Sequence, residues 1–189
     1  MRTHRALLAL TCLPELGPGS PSMLSQVVTR PVTPEDVPLI SALHDRVFGP
    51  GRFARTAYRV REALSDGDAS RYCRCTFDGD RLIAALRMSE IAIGSTPGAL
   101  LLGPLVVAPE YGGRGYGHGL MRDAIAAARA DGVKLIVLIG DESYYGRLGF
   151  HPVRPGTMTF PGPVDPKRIL ALELEDGALA QFSGAISGR

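Results

Sequence analysis

LGPLVVAPEYGGRGYGHGLM (Leu102–Met121) joins an apolar run to an alanine-rich one through five glycines between Gly112 and Gly119. Glycine loses more conformational freedom on folding than any other residue, so this density calls for a backbone reason. Upstream, Leu100 to Val107 is nearly all apolar without alternation, the pattern of a strand buried on both faces. Pro104 cannot donate to a ladder, so a bulge or a local loss of pairing is expected near Gly103-Pro104. Downstream, Leu120, Met121, Ala124, Ile125 and Ala128 share one stripe, which predicts a helix from about Gly117 to Ala130. Asp131-Gly132 closes it, and VKLIVLI (Val133–Ile139) is a second buried strand. Strand, glycine loop, helix and strand together make a βαβ unit.

Working outward, SQVVTRPV (Ser25–Val32) has the β-branched content of a first strand. A helix follows, with Thr33 as N-cap, Pro34 at the first position and Asp36 completing a capping-box-like pattern. Leu39, Leu43 and Val47 mark its buried face, and Gly49-Pro50 stops it. Phe53 to Leu64 reads as a second, more basic helix whose Arg55, Arg59 and Arg61 form a solvated face. Two strands, Arg71–Phe77 and Arg81–Ile93, flank Asp78-Gly79, a hairpin signal. GDESYYGRLGF after the second buried strand predicts a short helix, and a last strand is expected around Arg168–Leu174. The expected architecture is one mixed α/β domain over residues 25–175, with the last dozen residues frayed as a tail from 176 to 189.

At 189 residues the chain makes one well-buried domain. Its 45% apolar and 21% charged residues are ordinary for a globular protein, and a net charge of +2 gives no argument for nucleic-acid or membrane partners. The cysteines are Cys12, Cys73 and Cys75, an odd set that fits a reducing compartment better than a disulfide framework. Cys73 and Cys75 lack a second Cys/His pair at zinc-type spacing and read as strand residues. Residues 1–24 read as a disordered extension, with Met23 a fresh start. ALLALTCL (Ala6–Leu13) is short for an export signal and is followed by Pro14-Glu15 without a small-residue cleavage site. The expected location is the cytoplasm.

The loop fails two nucleotide patterns on spacing. After Gly115-x-Gly117 the third glycine of G-x-G-x-x-G falls one position early, and the loop lacks the Gly-Lys pair of a P-loop. The ingredients of an anion site remain: a strand end, glycines that let amides converge, a helix N-terminus and Arg114. On these residues alone, a phosphate cradle and a tight structural turn both stay open.

The whole segment resembles the acyl-CoA-binding motif of the GCN5-related N-acetyltransferase (GNAT) superfamily, in which [Q/R]-x-x-G-x-[G/A] opens a helix after an apolar strand. The match is Gly112, Gly113, Arg114, Gly115, Tyr116 and Gly117, with Gly112 standing where the family has glutamine or arginine. SYYGRLGFHPV resembles the family's [F/Y]-Y-x-x-x-G-F block, with Tyr145, Gly149 and Phe150 in register. The combination is most similar to the YhbS-like members. The resemblance implies a mostly antiparallel twisted sheet with one splayed parallel strand pair and flanking helices. It implies that the amides of Gly112–Gly117 hold the pyrophosphate of acetyl-CoA as cosubstrate, and that Leu105, Val106 and Val107 pair with the pantetheine arm. An amide near Val107 would polarise the thioester carbonyl.

It further implies direct transfer to an amine in a ternary complex, with Tyr145 beside the departing thiolate. A phenol at ~10 donating to a thiolate at ~8.5 is uphill by about 2 kcal/mol, so a hydrogen bond to the thiolate is the larger expected role. Glu90 is the candidate base, with Asp141 and Glu142 as alternatives; His118 and Tyr144 read as a surface histidine and a packing aromatic. The rival reading is a non-catalytic acyl-CoA-binding module on the same fold. Val47–Ser70 and Arg154–Lys167, where the family builds its acceptor site, carry no signature. The amine acceptor and the choice between monomer and homodimer stay open.

Overall fold

The computed structural model describes residues 27–49, 60 and 70–189. The expected extension at 1–24 lies outside them. So does the expected helix Phe53–Leu64, apart from Val60, which is helical and buried. The described strands are β1 (Val27–Pro31), β2 (Arg74–Asp78), β3 (Arg81–Ile93), β4 (Thr96–Val107), β5 (Leu135–Ile139), β6 (His151–Pro152), β7 (Met158–Thr159), β8 (Ile169–Glu173) and β9 (Gly184–Gly188). They run β1-β2-β3-β4-β5-β8-β6 across one sheet, with β9 on β3 and β7 on β9. The pairs are antiparallel except β4 with β5 and β7 with β9.

Helix α1 (Val37–Phe48) follows a 3-10 turn at Pro34–Asp36. Asp36 is buried, accepts the Thr33 backbone N–H at 2.8 Å and receives both guanidinium nitrogens of Arg30 at 2.6 and 2.8 Å. Arg30 and the Thr33 amide together hold its carboxyl down at about 2. Leu43 faces the core as expected, whereas Leu39 is 48% exposed. Helix α2 (Tyr116–Ala130) buries the expected stripe of Leu120, Met121, Ala124, Ile125 and Ala128 against Ala84, Leu86, Met88, Leu100 and Leu102 of β3 and β4. Burying Leu120 and Met121 contributes roughly 1.5–3 kcal/mol each. The opposite face of the same strands packs Ile91, Ile93, Ala99 and Leu101 with Val60, Phe182 and Ile186.

Two features set up the site. At Gly103-Pro104, whose peptide bond is cis, β4 carries two residues opposite the single Arg87, since Leu86 faces Leu105 and Met88 faces Leu102. This is the bulge the proline predicts. Just before it, β4 and β5 stop pairing: their register covers only Ala99 with Leu135, Leu100 with Ile136 and Leu101 with Val137. Beyond that point β5 continues on β8 alone and β4 on β3 alone. The two strands therefore part into a slot.

The C-terminal residues correct one expectation. Instead of fraying, they form a 3-10 turn at Ala178–Gln181 and then β9, whose Ile186, Ser187 and Gly188 pair with Ile93, Ala92 and Ile91. The cause is the length of β3. Its partner β2 covers only Arg81 to Leu86, so the rest of that edge would leave backbone groups unpaired. β9 supplies the missing strand, and buried Phe182 and Ile186 pin it.

Candidate active site: a glycine loop and a split strand pair

The glycine loop leaves β4 through a 3-10 turn at Pro109–Tyr111, which ties its base to the rest of the sheet. Glu110 pairs with Arg46 of α1 at 3.1 Å and also with Arg81. The Tyr111 hydroxyl donates to Asp78 at 2.7 Å. Arg81 and Arg114 both set their guanidinium groups over the Tyr111 ring, at 5.7 and 5.3 Å from its centroid. Residues 29 to 64 positions away in sequence thus anchor the loop, and no local pattern announces it.

Gly112, Gly113, Arg114 and Gly115 are exposed. Gly113 and Gly115 hold φ at 73° and 85°, a region that a Cβ disfavours. Gly115 is the N-cap of α2 and, lacking a side chain, caps nothing; the first turn contains no acidic residue. Amides at the start of a 15-residue helix, with the positive end of its dipole, therefore face the loop without an internal partner. That is the chemistry of an oxyanion or phosphate cradle. Gly112 differs: its φ of −58° and ψ of 150° are open to any residue.

Leu105, Val106 and Val107 run from the bulge to the loop, with Val106 buried and its neighbours half-buried. Their pairing to β3 is complete, and the Ala108 amide reaches the Ile83 carbonyl at 2.7 Å. Strand alternation then directs the N–H and C=O groups of Leu105 and Val107 away from β3, into the slot.

On the β5 side, helix α3 (Glu142–Tyr145) begins at Asp141. The Tyr145 ring lies on Gly140, where an added Cβ would come within 2.2 Å of it, and edge-on to Phe150 at 6.1 Å. Burial, with smaller contributions from Tyr144 and Asp141, pushes the Tyr145 phenol up to about 12. It is a neutral hydrogen-bond donor throughout the ordinary pH range. Tyr144, expected to be packing, instead reaches across the slot: its hydroxyl stands 2.7 Å from where a Cβ on Gly117 would be, beside Leu105 and Val107. Consecutive helical residues point about 100° apart, which is why Tyr145 lies on Gly140 at the β5 end of the slot while Tyr144 reaches toward Gly117. His118 stacks on the Tyr144 ring at 4.5 Å between centroids.

The structure sets Glu90 apart from the glycine loop, beside the point where β4 and β5 part. Glu90 is exposed on β3 opposite Leu100, and its charge acts on Arg71, which pairs at 3.1 Å with Asp131 beyond the C-terminal end of α2. The glycine loop lies at the other end of that helix, some ~22 Å away at 1.5 Å per residue. Asp141 is closer to the slot but exposed, and it pairs with Arg168 at 3.2 Å. Cys73 and Cys75 are buried, reduced thiols; the Cys73 sulfur donates to the Met88 carbonyl, and burial raises Cys75 to about 11.

A mostly antiparallel sheet with one parted parallel pair, and a glycine loop leading into a helix at the gap, define the acyltransferase class of α/β folds. Residues 28–153 match the acetyltransferase (GNAT) domain family, and the chain belongs to that family. The fold is similar to that of the GNAT family N-acetyltransferase YhbS from Escherichia coli, solved in complex with CoA, at a TM-score of 0.73 and 23% identity over 90% of this chain and 94% of that one. A GNAT family acetyltransferase from Brucella melitensis, solved with acetyl-CoA, superposes at a TM-score of 0.60 and 25% identity over 82% of this chain and 98% of that one. The uncharacterized N-acetyltransferase YjhQ of Escherichia coli is 40% identical over 63 residues. That match spans 33% of this chain and 34% of YjhQ, about a third of each. Among the described residues no helix is long and apolar enough to cross a membrane.

Proposed function

We propose that the protein transfers acetyl from acetyl-CoA directly to an amine. The observation that carries this reading is the slot: β4 and β5 part after Leu101 and Val137, with uncapped glycine-loop amides at one end and Tyr145 near the other. The pyrophosphate would lie on the amides of Gly112–Gly117, with Arg114 adding positive charge. The pantetheine arm would pair with Leu105 and Val107, and a β4 amide would polarise the thioester carbonyl. The amine attacks that carbonyl, the C–S bond breaks, and the thiolate leaves beside Tyr145. With the phenol at about 12, full proton transfer to a thiolate near ~8.5 is uphill by roughly 5 kcal/mol, so Tyr145 acts by hydrogen bonding. The Brucella relative, solved with acetyl-CoA, and YhbS, solved with CoA, support acetyl-CoA as the cosubstrate. Buried, reduced Cys73 and Cys75 suit a cytoplasmic protein.

One observation favours a second reading, an acyl-CoA-binding module without turnover. Glu90, the candidate base, is exposed with its charge acting on Arg71, and the alternative Asp141 is exposed and paired with Arg168. A thiol-release assay across small amines, aminoacyl compounds and peptide N-termini decides between the two. Release of CoA with at least one class is expected, and Tyr145→Phe lowers kcat roughly 10–100-fold while leaving the Kd for acetyl-CoA within about twofold. Tight binding of acetyl-CoA with no thiol release from any acceptor supports the module instead.

A further inference from the structure

We infer that Tyr144 is a gate on the coenzyme slot, closed in the free protein and latched by His118. The inference rests on the placement of the coenzyme proposed above. Gly117 is buried in the first turn of α2. A side chain on this residue would run into the Tyr144 hydroxyl at 2.7 Å, with Leu105 Cδ2 at 3.4 Å and Val107 Cγ2 at 3.6 Å on the same side. The phenol therefore occupies the notch that Gly117 leaves at the first turn of α2. That notch is walled by the two β4 side chains whose backbone groups open into the slot. A single side chain from α3 thus bridges to α2 and β4 where the arm and the pyrophosphate of the coenzyme would meet.

What holds the bridge is slight. The His118 ring lies 4.5 Å from the Tyr144 ring at 34°, and His118 Nε2 is 3.4 Å from the Tyr144 carbonyl oxygen. Tyr145 meets Tyr144 edge-on at 4.9 Å. Among the described residues the Tyr144 hydroxyl makes no hydrogen bond, and the residue is 38% exposed. Moving the ring breaks the stack on His118 and the edge contact with Tyr145, leaves the His118 contact to the backbone carbonyl in place, and opens no core. A fixed structural tyrosine has the contrary signature: a buried ring and a satisfied hydroxyl.

A closed state that must open before binding lowers the apparent association rate by the fraction of open molecules. Stopped-flow binding of CoA to the full chain tests this. Tyr144→Ala should raise the association rate constant by at least about threefold, the low end of the worth of one aromatic pair, since it removes the contacts with both His118 and Tyr145. His118→Ala should raise it in the same direction by a smaller factor, and the double variant should match Tyr144→Ala alone. Tyr144→Phe, which keeps the ring, should stay within about twofold of the wild type. His118 is a surface position, so its variant keeps the test open if Tyr144→Ala folds poorly. Unchanged or slower association in both alanine variants overturns the gate. If the wild type binds CoA but Tyr144→Ala acts only through faster dissociation, Tyr144 is a wall of the bound state and the gate is likewise overturned. Failure of the wild type to bind CoA at all defeats the slot assignment first, and the gate falls with it.

Discussion

The two halves of β4 have nearly the same composition and opposite duties. Ala99, Leu100 and Leu101 pair on both sides, to β3 and to β5, and are at most 1% exposed. Leu105, Val106 and Val107 pair only with β3 and turn their other edge to the slot. Gly103-Pro104 separates them. The lesson is that a continuous apolar run fixes burial of side chains but not the fate of the backbone. Whether a strand edge is consumed by a neighbour or left for a ligand depends on where that neighbour stops.

The largest expected effect sets the two halves against each other. Leu101→Ala should cost about 2–5 kcal/mol of stability by opening a cavity in a core without exposed surface. Leu105→Ala, at a half-buried site, should cost under about 1.5 kcal/mol while weakening CoA binding. Denaturant unfolding and calorimetric titration of both variants check the pair. Equal stability losses with equal retention of binding would erase the distinction.

A smaller effect concerns the β5 side of the slot. The Tyr145 phenol titrates near 12 in the folded chain, against ~10 unfolded, so the folded state holds the proton longer. The stabilisation is therefore intact below about pH 10 and is lost as pH rises toward 12, on the order of 2 kcal/mol in all. Tyr145→Phe should flatten that part of the stability–pH curve. A variant with the same alkaline loss as the wild type would mean that Tyr145 is better solvated than its contacts with Gly140 and Phe150 indicate.

Much of this was readable from residue order. Pro104 forecast the bulge, Asp78-Gly79 the β2–β3 turn, and the stripe from Leu120 to Ala128 the buried face of α2. Backbone requirements leave such marks because few residue types satisfy them. Edges and long-range ties leave fewer. β4 begins at Thr96 rather than at Leu100: Pro97 and Gly98 read as turn residues, yet Pro97 pairs opposite Ala92 and Gly98 is the extra residue where the register shifts before Ala99. β9 is five residues, two of them glycine, a weak pattern that acquires meaning only beside the uncovered edge of β3. Glu90, a carboxylate on the neighbouring strand, stands opposite Leu100 near the opening of the slot, exposed and beside the charge of Arg71 rather than at the glycine loop. Tyr144 and Tyr145 are adjacent in sequence, and only the helix phase of α3 separates their duties.

The smallest expected effect is at Gly112. Its φ of −58° accepts any residue, and a Cβ there would meet only the Pro109 carbonyl, at 3.1 Å. Gly112→Gln should shift CoA affinity by no more than about threefold, with tightening expected from an added donor. A tenfold loss would show that the glycine itself is needed and that the loop is tighter than its dihedral angles imply.

Amide hydrogen exchange with and without saturating CoA tests the central claim most directly, because it reads the two halves of β4 in one experiment. The predicted result is new protection at Leu105, Val107 and the amides from Gly113 to Gly117, with Ala99 to Leu101 already protected and unchanged. Binding of CoA that leaves Leu105 and Val107 exchanging at their free rate would contradict it, and would place the coenzyme somewhere other than the slot.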